Sequence, residues 1–318
     1  MTGNGFRTAM VLAAGRGQRM QPLTSVLPKP ALPMPDGPVV ASALRLAVSA
    51  GATRVVVNVS HLAGRMAEAV SEVTISGVEI ALSFEDELMG TAGGLAVARD
   101  RGFLGDEGSV LVVNGDSAFG LDLGGFAEHH VARGDLVTLA LLPHLDPQRW
   151  SRVVLDVNEQ VSEIHPPGRP APLEVPLLYP GVMAVRRDAL EALPAIPGEI
   201  AVALWAPAQM EQKLGGRMVT GHWREIGTPT DYLEVTLLRL AGSTWIDPSA
   251  EVAASASIRE SFVGRGATVA DRAVIEESVV AEGASVGEGA RVTRAVLFGS
   301  VEIAAGENVF SDFRAAVR

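Results

Sequence analysis

Two stretches of this sequence carry side chains suited to binding phosphate and a cation. In the first, Leu12, Ala13, Ala14, Gly15, Arg16, Gly17, Gln18 and Arg19 run consecutively, and Pro28-Lys29-Pro30 follows. Gly15 and Gly17 let the backbone bend sharply and bring N–H groups close to an anion. Arg16, Arg19 and Lys29 add fixed positive charge and donors for a polyphosphate. The spacing is not the dinucleotide fingerprint, because Met20 stands where the third glycine belongs. It is not a Walker loop either, because Pro30 rather than Ser or Thr follows Lys29. In the second stretch, Val113-Asn114-Gly115-Asp116 places a carboxylate just past an apolar run, where it can offer oxygen to a hard divalent cation. A compositional oddity singles out one of these residues. Lys29 and Lys213 are the only lysines among 26 basic residues. A lysine kept between two prolines in a chain otherwise given over to arginine reads as a functional group rather than a solvated loop residue.

The elements that must hold these residues are readable from apolar periodicity. Residues 9–14, 54–59, 78–83, 109–114 and 136–142 read as buried strands, and residues 39–50, 61–71 and 231–242 as helices, the first ending at Gly51. Strands alternating with helices predict βαβ units and a mostly parallel sheet, with ligands bound at the carboxyl ends of the strands. Both phosphate-type stretches follow strand ends directly.

Beyond residue 242 the pattern changes. Apolar residues fall at Ile246, Val252, Ile258; Val263, Val269, Ile275; Val280, Val286, Val292; and Leu297, Ile303, Val309. Each triplet is the previous one displaced by a constant step, which is the mark of a β-solenoid with triangular coils. Gly264, Gly266, Gly283, Gly287 and Gly289 fall between the aliphatics, where corners turn. The reading is two domains, 1–242 and 243–318.

Composition narrows the function classes. Of 318 residues 47% are hydrophobic and the net charge is −11. This excludes wholesale disorder and argues against a nucleic-acid polymer as partner. Without cysteine there is no disulfide framework, thiolate metal site or cysteine nucleophile. No secretory leader and no apolar run of the ~18 residues a membrane helix needs is visible, so a cytoplasmic protein is expected, with no membrane partner. His129, His130 and Trp205 read as ordinary helix and core residues rather than metal or stacking groups.

The string from Leu12 to Pro30 resembles the sugar-1-phosphate nucleotidylyltransferases, the NDP-sugar pyrophosphorylases. Met89-Gly90-Thr91-Ala92-Gly93-Gly94, Val113 to Asp116, and Trp223-Arg224-Glu225-Ile226-Gly227-Thr228-Pro229-Thr230-Asp231-Tyr232 agree in order and spacing. The likeness is nearest to the mannose-1-phosphate guanylyltransferase-like branch and spans nearly the whole chain. It implies a Rossmann-like, GT-A-type α/β domain followed by a left-handed parallel β-helix. By this resemblance Arg19 and Lys29 are catalytic. Leu12, Ala13, Ala14, Gly15, Arg16, Gly17, Gly90, Thr91 and Asn114 bind the nucleotide, with GTP favoured over UTP. Asp116 and Glu225 hold Mg²⁺, although the family places aspartate where this chain has Glu225. Glu163, Arg169 and Gly181 fall to the sugar phosphate.

The sugar half departs from the family. The usual Glu-Lys-Pro is replaced by Glu163-Ile164-His165-Pro166, and the glycine expected before residue 153 by Trp150-Ser151-Arg152. Either the acceptor is an unusual sugar or pseudo-sugar 1-phosphate, with Arg152 or Arg169 supplying the missing charge, or the chain is a catalytically weak regulatory subunit that binds nucleotide or NDP-sugar. A hexapeptide acyltransferase is a third reading. It is disfavoured because all six histidines precede residue 243 and the coils lack the usual base. The open solenoid ends predict a homo-oligomer.

Overall fold

The computed structural model describes residues 5–106, 108–144, 146–168 and 176–316, so Arg169 lies outside the described residues. Two compact units emerge, and they do not follow chain order. The first takes residues 1–15, 42–61 and 74–223, and the second residues 16–41, 62–73 and 224–318.

The first unit is built on a ten-stranded sheet. Strands β1 (Thr8–Leu12), β2 (Arg54–Val59), β3 (Glu79–Phe84) and β4 (Val110–Asn114) lie in the order β3-β2-β1-β4, all parallel. Continuous apolar runs such as Thr8–Leu12 suit this position, because a parallel sheet is covered on both faces. A short β5 (Ser117–Asp122) leaves β4 at once. The other half of the sheet is mixed: β6 (Val137–Pro143), β7 (Arg152–Leu155), β8 (Val161–His165), β9 (Leu177–Leu178), β10 (Val182–Val185) and β11 (Leu214–Met218). Here β10 runs antiparallel to both β4 and β6, β7 and β8 form an antiparallel pair, and β11 joins β6 in parallel. Strand β12 (Thr220–Glu225) pairs with β5 in a separate ribbon.

Helices α1 (Val40–Ser49), α2 (Ala63–Ser71) and α7 (Pro229–Leu240) agree with the apolar periodicity to within a residue or two. The spacing did not predict α3 (Gly90–Asp100), which begins with three glycines in five residues. Glycine costs about 1 kcal/mol per helical position relative to alanine, so packing must hold this helix. Leu95 and Ala96 are fully buried in a core shared with Met10, Val56, Val112 and Met183. The remaining helices are α4 (Phe126–Arg133), α5 (Arg187–Glu191) and α6 (Ala206–Met210). On α4, His130 is a core residue, with Nδ1 2.7 Å from Thr138 Oγ1 and Nε2 3.0 Å from Ser109 Oγ. Trp205 packs edge-on against Tyr179 at 4.9 Å.

The second unit contains the left-handed β-helix. Parallel pairing aligns Ile246 with Val263, Val280 and Leu297 on one face, Val252 with Val269, Val286 and Ile303 on the next, and Ile258 with Ile275, Val292 and Val309 on the third. These are the triplets read from spacing alone. Gly266, Gly283 and Gly289 turn corners at positive φ, whereas Gly264 and Gly287 are required by close approach of the next coil. Segment 16–41, α2 and α7 pack with the coils: Arg65 reaches Glu282 at 2.5 Å, Arg265 reaches Glu72 at 2.7 Å, and Arg294 pairs with Glu234.

Candidate functional site

In the first unit, the carboxyl ends of β1 and β4 lie side by side, with Leu12 opposite Asn114. Gly115 crosses directly over the end of β1. Its N–H donates to the Leu12 carbonyl at 2.8 Å, and a Cβ there would stand 2.9 Å from that same oxygen. The Asn114 N–H donates to the Gly181 carbonyl at 2.8 Å, and Gly181 holds φ +93° with room for no Cβ beside the Asn114 amide. Leu12, Ala13, Asn114 and Gly181 are therefore brought together. Asp116, half-buried, follows immediately, with Ser117 Oγ 3.5 Å from its Oδ1. Gly15 is exposed, with open space around it.

The start of α3 is clasped by residues 196–200. The Ala92 N–H donates to the Gly198 carbonyl at 2.9 Å. The Thr91 hydroxyl accepts from the Ile200 N–H at 2.8 Å and donates to Glu199 Oε2 at 3.1 Å. What Thr91 can offer a ligand is thus its backbone, at a helix N-terminus where unpaired N–H groups and the helix dipole favour acceptors.

In the second unit, Gly17 adopts a left-handed conformation at φ +60°. A Cβ there would lie 2.9 Å from Thr24 Cγ2 and 3.3 Å from Lys29 Cβ, so glycine is what lets the loop fold against Lys29. The Thr24 hydroxyl locks the turn by donating to the Gly17 carbonyl at 2.9 Å. Lys29 opens a short 3₁₀ turn, Lys29–Ala31, and is only 6% exposed. The solvated-loop alternative for Lys29 fails on that burial. Arg16 is exposed. Arg19, with a side chain 71% exposed, sits 3.1 Å from Glu225 Oε1, so the phosphate-type arginine and the second expected metal carboxylate pair with each other. An exposed pair of this kind is worth only about 0–1 kcal/mol and exchanges easily for stronger partners. Asp231, the other carboxylate of this motif, caps α7 instead. Its Oδ2 accepts from the Thr228 N–H at 2.9 Å, while the Thr228 hydroxyl accepts from the Asp231 N–H.

Among the described residues no group of three or more His, Asp or Glu is arranged to hold a metal ion. Asp116 and Glu225 each offer carboxylate oxygen, the donor type that Mg²⁺ takes one or two at a time beside waters and substrate phosphates.

Of the sugar-phosphate candidates, Gly181 belongs to that strand-end group through its bond with Asn114. Glu163 lies on β8, exposed, 2.8 Å from His165 Nε2. Arg152 is buried within β7, opposite His165. Trp150 packs edge-on against Trp223 at 5.3 Å, with the Arg149 guanidinium 4.8 Å from the Trp150 ring centre.

Two residues that sequence reasoning missed stand behind these segments. Asn58 and Glu85 are both buried, and they join Ala13 to Met89 by hydrogen bonds. In the second unit a cavity of about 290 Å³ is lined by Arg65, Glu72, Trp245, Phe262, Arg265 and Glu282. Its arginines are committed to its carboxylates.

The fold and these strand-end residues define a class. A family model for nucleotidyl transferases matches residues 8–241, and the chain belongs to that family; a GlmU-like C-terminal hexapeptide model matches residues 246–316. Among named relatives, a mannose-1-phosphate guanyltransferase of Schizosaccharomyces pombe is 27% identical over 251 residues, covering 79% of this chain and 69% of its own. The mannose-1-phosphate guanylyltransferase of Mycobacterium tuberculosis is 29% identical, over 71% of this chain and 62% of its own. The crystal structure of HddC from Yersinia pseudotuberculosis superposes with a TM-score of 0.62 at 18% identity, over 73% of this chain and 98% of that one, which shows the shared fold. Among the described residues, no helix is long and apolar enough to cross a membrane.

Proposed function

We propose that the protein transfers a guanylyl group from GTP to a sugar or sugar-like 1-phosphate, releasing pyrophosphate, with Mg²⁺ as cofactor. A phosphate oxygen of the acceptor attacks the α-phosphorus of the nucleotide. The bond from that phosphorus to the bridging oxygen breaks, and its electrons leave with pyrophosphate. No proton needs to move in this step, so the protein's task is to hold two anions together and neutralise the charge that builds on the leaving group.

The observation that carries the reading is Lys29, a buried ammonium folded against the left-handed Gly17 in an arginine-bearing loop. Lys29 is assigned to the reacting phosphates, and Arg16 and Arg19 to the rest of the triphosphate. The backbone from Leu12 to Gly15 and at Gly90 and Thr91 is assigned to the base, with Asn114 beside them. Asp116 and Glu225 are each assigned to Mg²⁺, which supplies charge neutralisation on phosphate oxygens when bound. The names of the relatives support guanine and a sugar 1-phosphate. The altered sugar half, with Trp150 where the family pattern differs, supports an acceptor other than a common hexose 1-phosphate.

The test is a pyrophosphate-release panel with Mg²⁺, each nucleoside triphosphate and a range of sugar 1-phosphates. Release with GTP and one acceptor is expected. Nucleotide binding with silence across every acceptor would replace the enzyme by a regulatory subunit.

A further inference from the structure

Three segments far apart in the chain meet through two buried polar side chains of the first unit. The backbone N–H of Ala13 donates to Asn58 Oδ1 at 2.7 Å. Asn58 Nδ2 donates to Glu85 Oε1 at 2.7 Å, and Glu85 Oε2 accepts from the N–H of Met89, the residue that opens α3, at 3.1 Å. Asn58 is 3% exposed and Glu85 6%. Gly94 closes the arrangement from above, since a Cβ there would stand 2.6 Å from Glu85 Oε1 and 2.8 Å from Asn58 Nδ2.

Packing alone does not call for such a pair. Asn58 interrupts the valine run between Val55 and Val59, and burying a carboxylate is costly where an apolar pair of similar volume would serve stability as well. What the pair adds is direction and distance: three directed bonds tie the first peptide beyond β1 to the first turn of α3.

We propose that Asn58 and Glu85 are positioning residues for the nucleotide, fixing the separation of the backbone at Ala13–Gly15 from that at Gly90–Thr91. This rests on the assignment of those two backbone segments to the base.

The test is a polarity swap. Asn58→Asp sets two carboxylates against each other, and Glu85→Gln leaves one amide donor facing another donor. The double variant N58D/E85Q remakes all three bonds. The carboxylate then at position 58 accepts from the Ala13 N–H and from the amide N–H at position 85. The amide carbonyl at position 85 accepts from the Met89 N–H. Affinity for GTP is read by calorimetry and KM for GTP by pyrophosphate release. Each single variant is expected to weaken both by about tenfold, in line with one broken buried hydrogen bond. Turnover and the acceptor KM should stay within about threefold of wild type. The double variant should bring GTP back to within about threefold. Single variants that melt like wild type and bind GTP like wild type would overturn the proposal. So would a folded double variant that binds GTP as weakly as the singles, or GTP losses that simply track melting temperature across the set. Should wild type bind GTP yet release no pyrophosphate, the reaction proposed above falls and GTP affinity alone decides the role of the pair. A wild type that binds no GTP removes both.

Discussion

Lys29 concentrates the argument at the level of single side chains. It is one of two lysines in the chain and is buried, whereas Lys213 is partly exposed and paired with Glu211 at 3.0 Å. In the proposed reaction such a buried ammonium would act on developing negative charge in a low dielectric, where one donor contributes about 3 kcal/mol to a transition state. Lys29→Ala is therefore expected to lower kcat/KM about a hundredfold in the pyrophosphate-release assay. Lys213→Ala should leave it unchanged, and equal effects would remove Lys29 from the chemistry. Lys29 was legible because its type was rare and its neighbours distinctive. Asn58 and Glu85 were not. A single asparagine among valines, and one acid within Glu85-Asp86-Glu87, carry no periodic or motif signal. Their roles exist only once β1, β2 and α3 are brought side by side.

Among elements, α7 shows how a sequence motif can divide its work. In the string that begins at Trp223, the Glu225 carboxylate meets Arg19 ahead of the helix, while Thr228 and Asp231 build a capping box and Pro229 opens the first turn. Thr228→Ala is expected to cost about 1 kcal/mol of stability, seen as a lower denaturant midpoint. Helix α4 carries a pH response. Burial, the dominant cause, pushes His130 down from 6.5 to about 4, against the opposing pull of Asp135 and with help from Arg186 and His129. With the folded value depressed, the unfolded chain takes up the proton first. This contribution to stability is complete above pH 6.5 and lost as pH falls towards 4. Urea unfolding across that range should show the decline, and His130→Asn should flatten it. The parallel half of the sheet and its flanking helices were legible because long apolar runs have a clear period. In the mixed half, β6 was legible as the apolar run 136–142, whereas several of its neighbours were not. Strand β9 has two residues, β11 contains Gly215 and Gly216, and α3 starts on glycines, so each takes its form from its neighbours.

The molecule as a whole combines two kinds of stability. The sheet unit draws on apolar layers in which residues from distant segments pack together. The solenoid is a stack in which each coil touches the next, so stability adds coil by coil. Val280 lies fully buried in a middle coil, whereas Ile246 in the first coil is 42% exposed. Val280→Ala should cost about 2 kcal/mol through the cavity it leaves, and Ile246→Ala well under half of that, read from urea unfolding of the full chain. The twelve inward aliphatics of the solenoid were legible because they keep one register through four coils, whereas the further strand Phe313–Ala316 was not. The regrouping of segment 16–41 and α2 with those coils was not, since the bonds that hold them, such as Arg65 to Glu282, join residues with no local relation.

That register also limits how the chain can change length. Val263 pairs with Val280, and Ser278 reaches back to Ser261 across a separation of 17 residues. An insertion or deletion in the coils preserves the phase of all three faces only in whole multiples of that step. Any other change that is not looped out at a corner turns inward aliphatics out to water in the coils that follow. The coiled C-terminal region therefore behaves as a ratchet in sequence space. It tolerates substitution at its outward positions more readily than at its glycine corners, and changes of length within a coil only by the tooth.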